Sequence, residues 1–421
     1  MTSAVGANTP VSLDGQFKEV YADNINNLIP EGAKLLHMVN FIKAEKQPGN
    51  LYHQPVILGH EHGFTYGGVL GNAFQLENAV ASSNADARVQ GAEIVLRSFL
   101  SIAAASRSQN SKACFISETK LLVENMLKSF AKRLEIGLMY GQMGIGTVES
   151  ITGAGPYVVK IYDWDWAAGI FSGGENMPIT ILDPTFAVSR VDTFVTSVNL
   201  DTKEITINAK GSAQADDVIV FKSAVAAGPT FNEFAGLHKI ISNTGPLFNI
   251  NASVYNLWKG NVINVGTDFT GGEAKLSFDS IESAIARAMN KGLNDEEVAV
   301  ICNPGSWKNL LTEQAAKRMY DSSYNGKEIE QGAKSIKFHG PNGLIEIVPS
   351  IYCKEGFAYI IPAKEFMRVG STDVTFEQPG FEGKFLRLLE NHNGYEMRAY
   401  TDQALFTSKP GLCCLLRYIK N

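Results

Sequence analysis

Residues 117–140 read SETKLLVENMLKSFAKRLEIGLMY, and the rest of the chain is best understood from this stretch outward. Leu121, Leu122, Met126, Leu127, Phe130, Ala131, Leu134 and Leu138 recur at three- and four-residue spacing, which lays one apolar stripe along a helix. Ser117 and Glu118 suit its first turn and Gly141 its end. At 1.5 Å per residue the stretch predicts a helix about 35 Å long, enough to brace a molecule from side to side. Lys128, Lys132 and Arg133 are offset by Glu124 and Glu135 and read as an ordinary solvated face.

Upstream, GAEIVLRSFLSI (91–102) reads as a strand, with Ile94, Leu96 and Phe99 breaking strict alternation. Before it comes YHQPVILGHEHGFTYGGVLGNAF (52–74), with glycines at 59, 63, 67, 68 and 71. That density suits an extended, twisted hairpin whose return arm is the 91–102 strand. Further upstream, KLLHMVNFIKAEK (34–46) is amphipathic and ends at Pro48-Gly49. Phe17, Val20, Tyr21, Ile25 and Leu28 follow helical spacing up to Pro30, and residues 1–15 read as a polar, disordered arm.

Downstream, GQMGIGTVESITGAGP (141–156) is glycine-rich and reads as a flexible connector. It lacks the lysine and Ser/Thr of a phosphate loop and follows a helix where such a loop follows a strand. Residues 150–225 then turn to β-sequence: YVVKIYDW, PITILD, TFVTSVN, KEITINA and DVIVF. From residue 279 the pattern is α/β. Asp279-Ser-Ile-Glu282 resembles a capping box for IESAIARAMNK, closed by Gly292; VAVIC (298–302) is a buried strand; and Ser306 opens the helix SWKNLLTEQAAKRMY. SIKFHG, GLIEIVPS, FAYIIP, VTFEQ and YEMRAYTDQALF are strands again. A β-rich region on each side of an α/β centre implies one domain made of discontinuous pieces with a second inserted between them.

Composition narrows the function. Of 421 residues, 45% are hydrophobic and 19% charged, so a large core is expected and general disorder is not. The net charge of −6 gives no broad attraction to a nucleic-acid backbone. Five cysteines, Cys114, Cys302, Cys353, Cys413 and Cys414, lack metal-ligand spacing and sit mostly among apolar neighbours, as buried free thiols of a reducing compartment do. The first fifteen residues lack the regions of a signal peptide, and no apolar run is long enough to span a bilayer, so synthesis in a cytoplasm is expected.

Sites for chemistry are weak. His60 and His62 in GHEHG, with His53 nearby, would share a strand face, but no third ligand stands at a recognised spacing, and they read as surface histidines. Asp163 and Asp165 flank Trp164 as solvated carboxylates on one strand face, the tryptophans being packing. No nucleophile elbow or Cys-His signature occurs. The residues therefore point to no enzyme, cofactor or metal.

The order of these pieces resembles the major capsid proteins of tailed bacteriophages. Local strings resemble the family too. Gly236, Asn243, Gly245, Leu247 and Trp258 in GLHKIISNTGPLFNINASVYNLWKGNVINV fit the segment leading into its axial domain. Asn303, Pro304, Trp307, Leu310 and Arg318 in CNPGSWKNLLTEQAAKRMYDSSY fit a strand, turn and helix of that domain. The resemblance covers nearly the whole chain. It implies an α+β capsid fold with an N-terminal arm (1–50) and an extended β-hairpin loop (51–106). A spine helix with a β-rich peripheral domain (107–235), an inserted α/β axial domain (236–364) and a return to the peripheral domain (365–421) would follow.

It further implies a structural protein that assembles with itself into hexamers and pentamers of an icosahedral shell, in the virion, after synthesis in the host cytoplasm. His53, Gly59, His60, Gly63, Gly67 and Gly68 of the loop would touch neighbouring subunits. Packaged double-stranded DNA would be enclosed without sequence recognition, beside a portal and a decoration protein, with no membrane. Some relatives carry a long charged scaffolding segment ahead of the arm; here about fifteen polar residues precede the first helix, which implies a separate scaffolding protein. One branch cross-links a loop lysine to a neighbour's asparagine. Gln47 to Ser111 contains no lysine, so a shell held without such bonds is expected. The nearest rival is an encapsulin-type nanocompartment shell, whose chains are shorter and lack a β-rich insertion near 170–225. A β-rich adhesive or carbohydrate-binding surface protein is the rival from another class.

Overall fold

The computed structural model describes residues 32–42, 51–69, 71, 73–101, 112–226, 228, 230–266, 274–294, 296–313, 336–340, 343–376, 386–388 and 394–421, all within one compact unit, Glu31–Asn421. The helical spacing read at 17–28 lies outside these residues, as does Arg318. In chain order the elements begin with α1 (Leu35–Met38), β1 (Tyr52–Gly59), β2 (Ser83–Val89), β3 (Ala92–Ser101) and α2 (Lys112–Tyr140). Six strands follow, β4 (Gly146–Thr152), β5 (Tyr157–Ile161), β6 (Pro178–Leu182), β7 (Ser189–Asn199), β8 (Glu204–Ile207) and β9 (Val218–Phe221), with α3 (Ala168–Phe171) between β5 and β6. Then come α4 (Leu237–Ser242), the short pair β10 (Pro246–Leu247) and β11 (Ile250–Asn251), β12 (Asn261–Asn264), α5 (Phe278–Met289), β13 (Val298–Cys302) and α6 (Pro304–Thr312). The chain finishes with β14 (Ile336–Gly340), β15 (Gly343–Pro349), β16 (Phe357–Ile361), β17 (Phe366–Thr375), β18 (Leu386–Leu388), β19 (Gly394–Thr407) and β20 (Cys414–Arg417).

The long helix α2 has 29 residues, about 43 Å at 1.5 Å each. Its environment changes along its length. Met126, Phe130 and Leu134 pack on Met397 and Ala399 of β19 and on Ile94 and Leu96 of β3, an amphipathic helix on one sheet face. Leu127, expected in the stripe, is 42% exposed. From Leu134 to Tyr140 nearly every side chain is buried, because the helix end enters the main core. Lys132 and Arg133 are not a solvated face: Lys132 donates to the Ser172 carbonyl and Arg133 lies 3.0 Å from the Phe221 ring centroid. The β4–β9 region packs on that side. Burial lowers the pKa of Arg133 to about 10, against the opposing charge of Glu233.

Glu135 is fully buried on this helix. Its carboxylate accepts the backbone N–H groups of Lys34, Leu35 and Leu36 at 3.0, 2.9 and 2.8 Å, and so caps the first turn of α1. Arg368 grips the other end of the same segment, donating from Nε to the Val39 carbonyl at 3.0 Å. The amphipathic stretch 34–46 forms a helix of only one turn: Phe41 makes an isolated parallel bridge to Arg368, and residues 43–50 lie outside the described set. Burial raises the Glu135 carboxyl to about 6, opposed by the three N–H groups. Glu135→Ala orphans all three donors and should cost about 2–3 kcal/mol. Urea denaturation of the subunit, with hydrogen exchange over 34–38, checks this.

The β-rich stretch after α2 closes into a barrel of order β4-β5-β8-β7-β6-β9. Val148, Val159, Ile161, Ile179, Ile181, Val195, Ile205, Ile207 and Ile219 fill it at 0% exposure, one side of each alternating strand. Two sequence expectations fail here. The glycine-rich 141–156 segment is a turn followed by β4, since Gly144 at φ +81 packs where any Cβ would meet Val218. Asp163-Trp164-Asp165 is a 3₁₀ turn in which Asp165 is buried.

The second sheet has six strands, β12-β20-β16-β13-β15-β14. Val298, Val300 and Cys302 of β13 face the cluster built by α5 and α6, while Ala299 and Ile301 face the main core. Both faces are covered, which is why VAVIC and FAYII read as continuous apolar runs. Helix α5 starts earlier than expected: Ser277 is its N-cap in a reciprocal box with Ser280. Helix α6 starts at Pro304, capped by Asn303. The third sheet holds β17, β18 and β3 around β19, with β3 and β19 paired over ten consecutive residues.

Among the described residues β4–β9 pair with no strand of β17–β19, while both groups contribute side chains to the main core. Within 365–421, β20 lies in the six-stranded sheet between β12 and β16. The run LCCLL is apolar on both faces and can be solvated on neither, so it fills a central position. Cys302, Cys353, Cys413 and Cys414 are buried and free. Burial pushes the Cys302 and Cys414 thiols up to about 12, which leaves them inert.

Candidate functional site

The hairpin is built from β1 and β2, with Tyr52 opposite Val89 and Gly59 opposite Ser83. GAEIVLRSFLSI is therefore not its return arm. β3 belongs to the third sheet instead, because Ile94 and Leu96 need the apolar cover of α2. The actual return arm, SNADARV, has small residues where an apolar strand was sought.

Alternation gives the ribbon two faces. Tyr52, Val56, Leu58, Ala85, Ala87 and Val89 turn inward onto the main core. His53, Pro55 and Ile57 turn outward opposite Arg88, Asp86 and Asn84. His53 Nδ1 lies 2.8 Å and Arg88 Nε 3.0 Å from Asp86 Oδ2, and these contacts hold the Asp86 carboxyl below its usual range. The base is fastened from a third direction: the Arg88 N–H donates to the Phe248 carbonyl and Asn249 Nδ2 to the Asp86 carbonyl, both at 3.0 Å. Phe406 receives Tyr52 and Phe248 edge-on at 5.7 and 5.4 Å.

Beyond Gly59 the two arms stay close but stop pairing as regular strands. The His62 N–H donates to the Val80 carbonyl at 3.2 Å and the Glu77 N–H to Thr65 Oγ1 at 2.9 Å. Gly67 lies against the Phe74 ring so closely that a Cβ would sit 2.3 Å from it. Gly68 and Gly71 take positive φ, +69° and +65°, at the turn. Sixteen residues separate Tyr52 from the turn at Gly68, a span of at most about 58 Å.

The tip is apolar and uncovered. Residues 63–76, GFTYGGVLGNAFQL, carry no charge. Phe64, Tyr66, Val69 and Leu76 are 72, 92, 101 and 74% exposed, and Phe74 and Val80 are at least half exposed. A concentration of large apolar side chains in water marks a binding surface. Of the residues read as contacts, His53, His60, Gly63 and Gly68 are exposed, and Gly59 and Gly67 are half-buried where the arms meet. Phe64, Tyr66 and Val69 were not singled out, although the missing charge was visible. His60 and His62 lie in the irregular part, not on one strand face; among the described residues no three His, Cys, Asp or Glu side chains converge to hold a metal. No described helix is long and apolar enough to cross a membrane.

The residues read from the axial segment have local structural work. Asn303 Oδ1 accepts from the Gly305 N–H at 2.9 Å and its Nδ2 donates to the Cys353 carbonyl at 2.8 Å. Pro304 opens α6, Leu310 is buried and Trp307 packs beside that cluster. Gly236 crosses Gly141 at the end of α2 with a backbone hydrogen bond of 3.0 Å. A Cβ on Gly141 would lie 2.3 Å from the Phe234 carbonyl oxygen, and one on Gly236 2.5 Å from the Gly141 nitrogen.

The chain thus combines a long helix, an anchored hairpin with an apolar tip, a closed barrel and a covered six-stranded sheet, and its fold is like that of solved capsid chains. It superposes on the cyanophage A-1(L) capsid asymmetric unit with a TM-score of 0.56 and 10% identity, over 98% of this chain and 100% of that one. The capsid of a native GTA particle gives 0.52 and 8%, over 99% and 100%. Neither a family model nor a curated protein matches the sequence.

Proposed function

We propose that this chain is a major capsid protein of a tailed phage: it self-assembles through hexamers and pentamers into an icosahedral shell around double-stranded DNA. The observation that carries this is the hairpin, anchored on three sides at its base and presenting an uncharged apolar tip to solvent. A surface of this kind is a liability in a monomer and an asset in an assembly, where it is covered by a neighbour. The fold likeness over the full length of two capsid chains supports the same reading. The segments 1–50, 51–106, 107–235, 236–364 and 365–421 would serve as arm, loop, spine with peripheral domain, axial domain and return, with β20 closing the axial sheet. Portal, scaffolding and decoration proteins would be partners. The role is structural, and no step of it requires a catalytic group.

Assembly tests it. The purified protein, alone or with a scaffold, should give shells, tubes or sheets by negative-stain microscopy. A strictly monomeric chain at high concentration, even beside a scaffold, would defeat the proposal. The absence of lysine from 47–111 adds a second expectation: mature particles should run as a single band near 45.7 kDa on a denaturing gel, not as a ladder of multimers. DNA inside the particles supports a phage shell, and a cargo enzyme supports a nanocompartment.

A further inference from the structure

Where α2 ends, one histidine is enclosed by aromatic rings beside a buried cation. His238 on α4 is 6% exposed. Phe357 and Tyr359 of β16 and Tyr140 of α2 surround its ring at centroid distances of 4.8, 5.9 and 6.3 Å. Its Nδ1 lies 2.9 Å from the Tyr359 hydroxyl. The Tyr140 ring meets the Tyr359 ring edge-on at 6.4 Å, and its hydroxyl accepts the Lys354 backbone N–H at 2.8 Å. A neutral imidazole fits the Tyr359 contact in either tautomer, donating to the hydroxyl or accepting from it.

We propose that His238 is an acid-sensitive pin between the end of α2, helix α4 and the six-stranded sheet, and that gaining a proton loosens this junction. A second ring proton makes both nitrogens donors and leaves a cation in a dry, ring-lined site where it can no longer accept a hydrogen bond. The new cation also shares the compartment with Lys354, whose own charge is matched by Asp165 at 2.7 Å. The other groups that face His238 do not help: Arg417 on β20 and Lys239 on α4 are cations, while burial holds Tyr140, Tyr359 and Cys353 in their neutral forms.

Burial, then Lys354, Arg417 and Lys239, hold the imidazole well below its ordinary 6.5. A base whose folded pKa is depressed binds fewer protons folded than unfolded between the two values. Its contribution to stability is therefore present above about pH 6.5 and is lost as the pH falls toward the folded value. Glu135, raised to about 6, acts in the opposite direction and cannot account for an acid-induced opening in this range.

The inference stands whether or not the chain forms shells, because it is read on the full chain itself. Hydrogen exchange of residues 237–242 and 357–361, normalised to intrinsic exchange rates, is followed from pH 7.5 to 4.5. The opening equilibrium should rise below pH 6.5 by up to tenfold per pH unit, the limit for one proton, and His238→Gln should flatten that slope. Equal slopes in wild type and variant overturn the proposal. Should the variant not fold, histidine-selective 15N NMR of the wild type decides: one imidazole that stays neutral well below pH 6.5 is expected, and ordinary titration of all seven histidines overturns it.

Discussion

Lys354→Met should destabilise the folded chain by about 3–5 kcal/mol, because it strands a carboxylate in the core. Lys354 is 3% and Asp165 5% exposed. The ammonium donates to Asp165 Oδ1 at 2.7 Å and to the Gly144 carbonyl at 3.1 Å, and lies 4.5 Å from the centre of the Tyr140 ring. The second carboxylate oxygen accepts from Thr147 Oγ1 at 2.9 Å. One pair therefore ties the turn before β16 to the end of α2, the first barrel strand and the 163–165 turn. Removing the cation leaves Asp165 with the Thr147 hydroxyl and no neutralising charge, and desolvation then dominates. The attraction of the intact pair roughly offsets its own desolvation, so the double variant Lys354→Met/Asp165→Leu should recover most of the loss. Urea denaturation read by the flanking Trp164 and Trp166 follows both variants. A double variant as unstable as the sum of the two single ones would show that the pair itself, and not the stranded charge, carries the stability.

How legible such features are from sequence depends on how far apart their parts lie. The helix read at 117–140, which begins five residues earlier at Lys112, was legible because its pattern repeats within one turn, and the buried runs VAVIC and FAYII because strands covered on both faces lose alternation. The barrel strands were visible one by one, but their closure was not, since β4 meets β9 across about seventy residues and nothing local marks the pairing. β3 was assigned to the hairpin because it follows it, whereas its partner β19 lies about 300 residues later. Lys354 and Asp165 were invisible for the same reason: Lys354 sits beside Glu355 in YCKEGF, Asp165 is one of two carboxylates in YDWDW, and both resemble surface. His238 carries no neighbouring signal at all. The hairpin was recognised from glycine density, yet its most exposed side chains were passed over in favour of glycines and histidines. A loop without charge is conspicuous only once its exposure is known.

That exposure leads to the second large effect. Replacing Phe64, Tyr66 and Val69 together by serine should abolish assembly while leaving the subunit's stability within about 0.5 kcal/mol of wild type, as surface substitutions do. Each of these side chains is at least 72% exposed, so none supports the folded chain. Covered by a neighbour, each would contribute about 1.5 kcal/mol or more through the apolar surface removed from water. Three of them amount to at least about 4.5 kcal/mol per contact, on the order of a thousandfold in association. A closed assembly repeats this contact at every subunit, so the concentration needed for assembly rises at least as steeply. The base is a different case. Ala87 and Val89 are buried and tied to the main core, so changing them would test folding, not association. Light scattering against concentration, with hydrogen exchange over residues 54–75, separates the two. Wild-type amides there should exchange fast in free subunits and slowly in particles. A triple-serine variant that assembles at the wild-type concentration would show that the tip is not the surface through which copies meet.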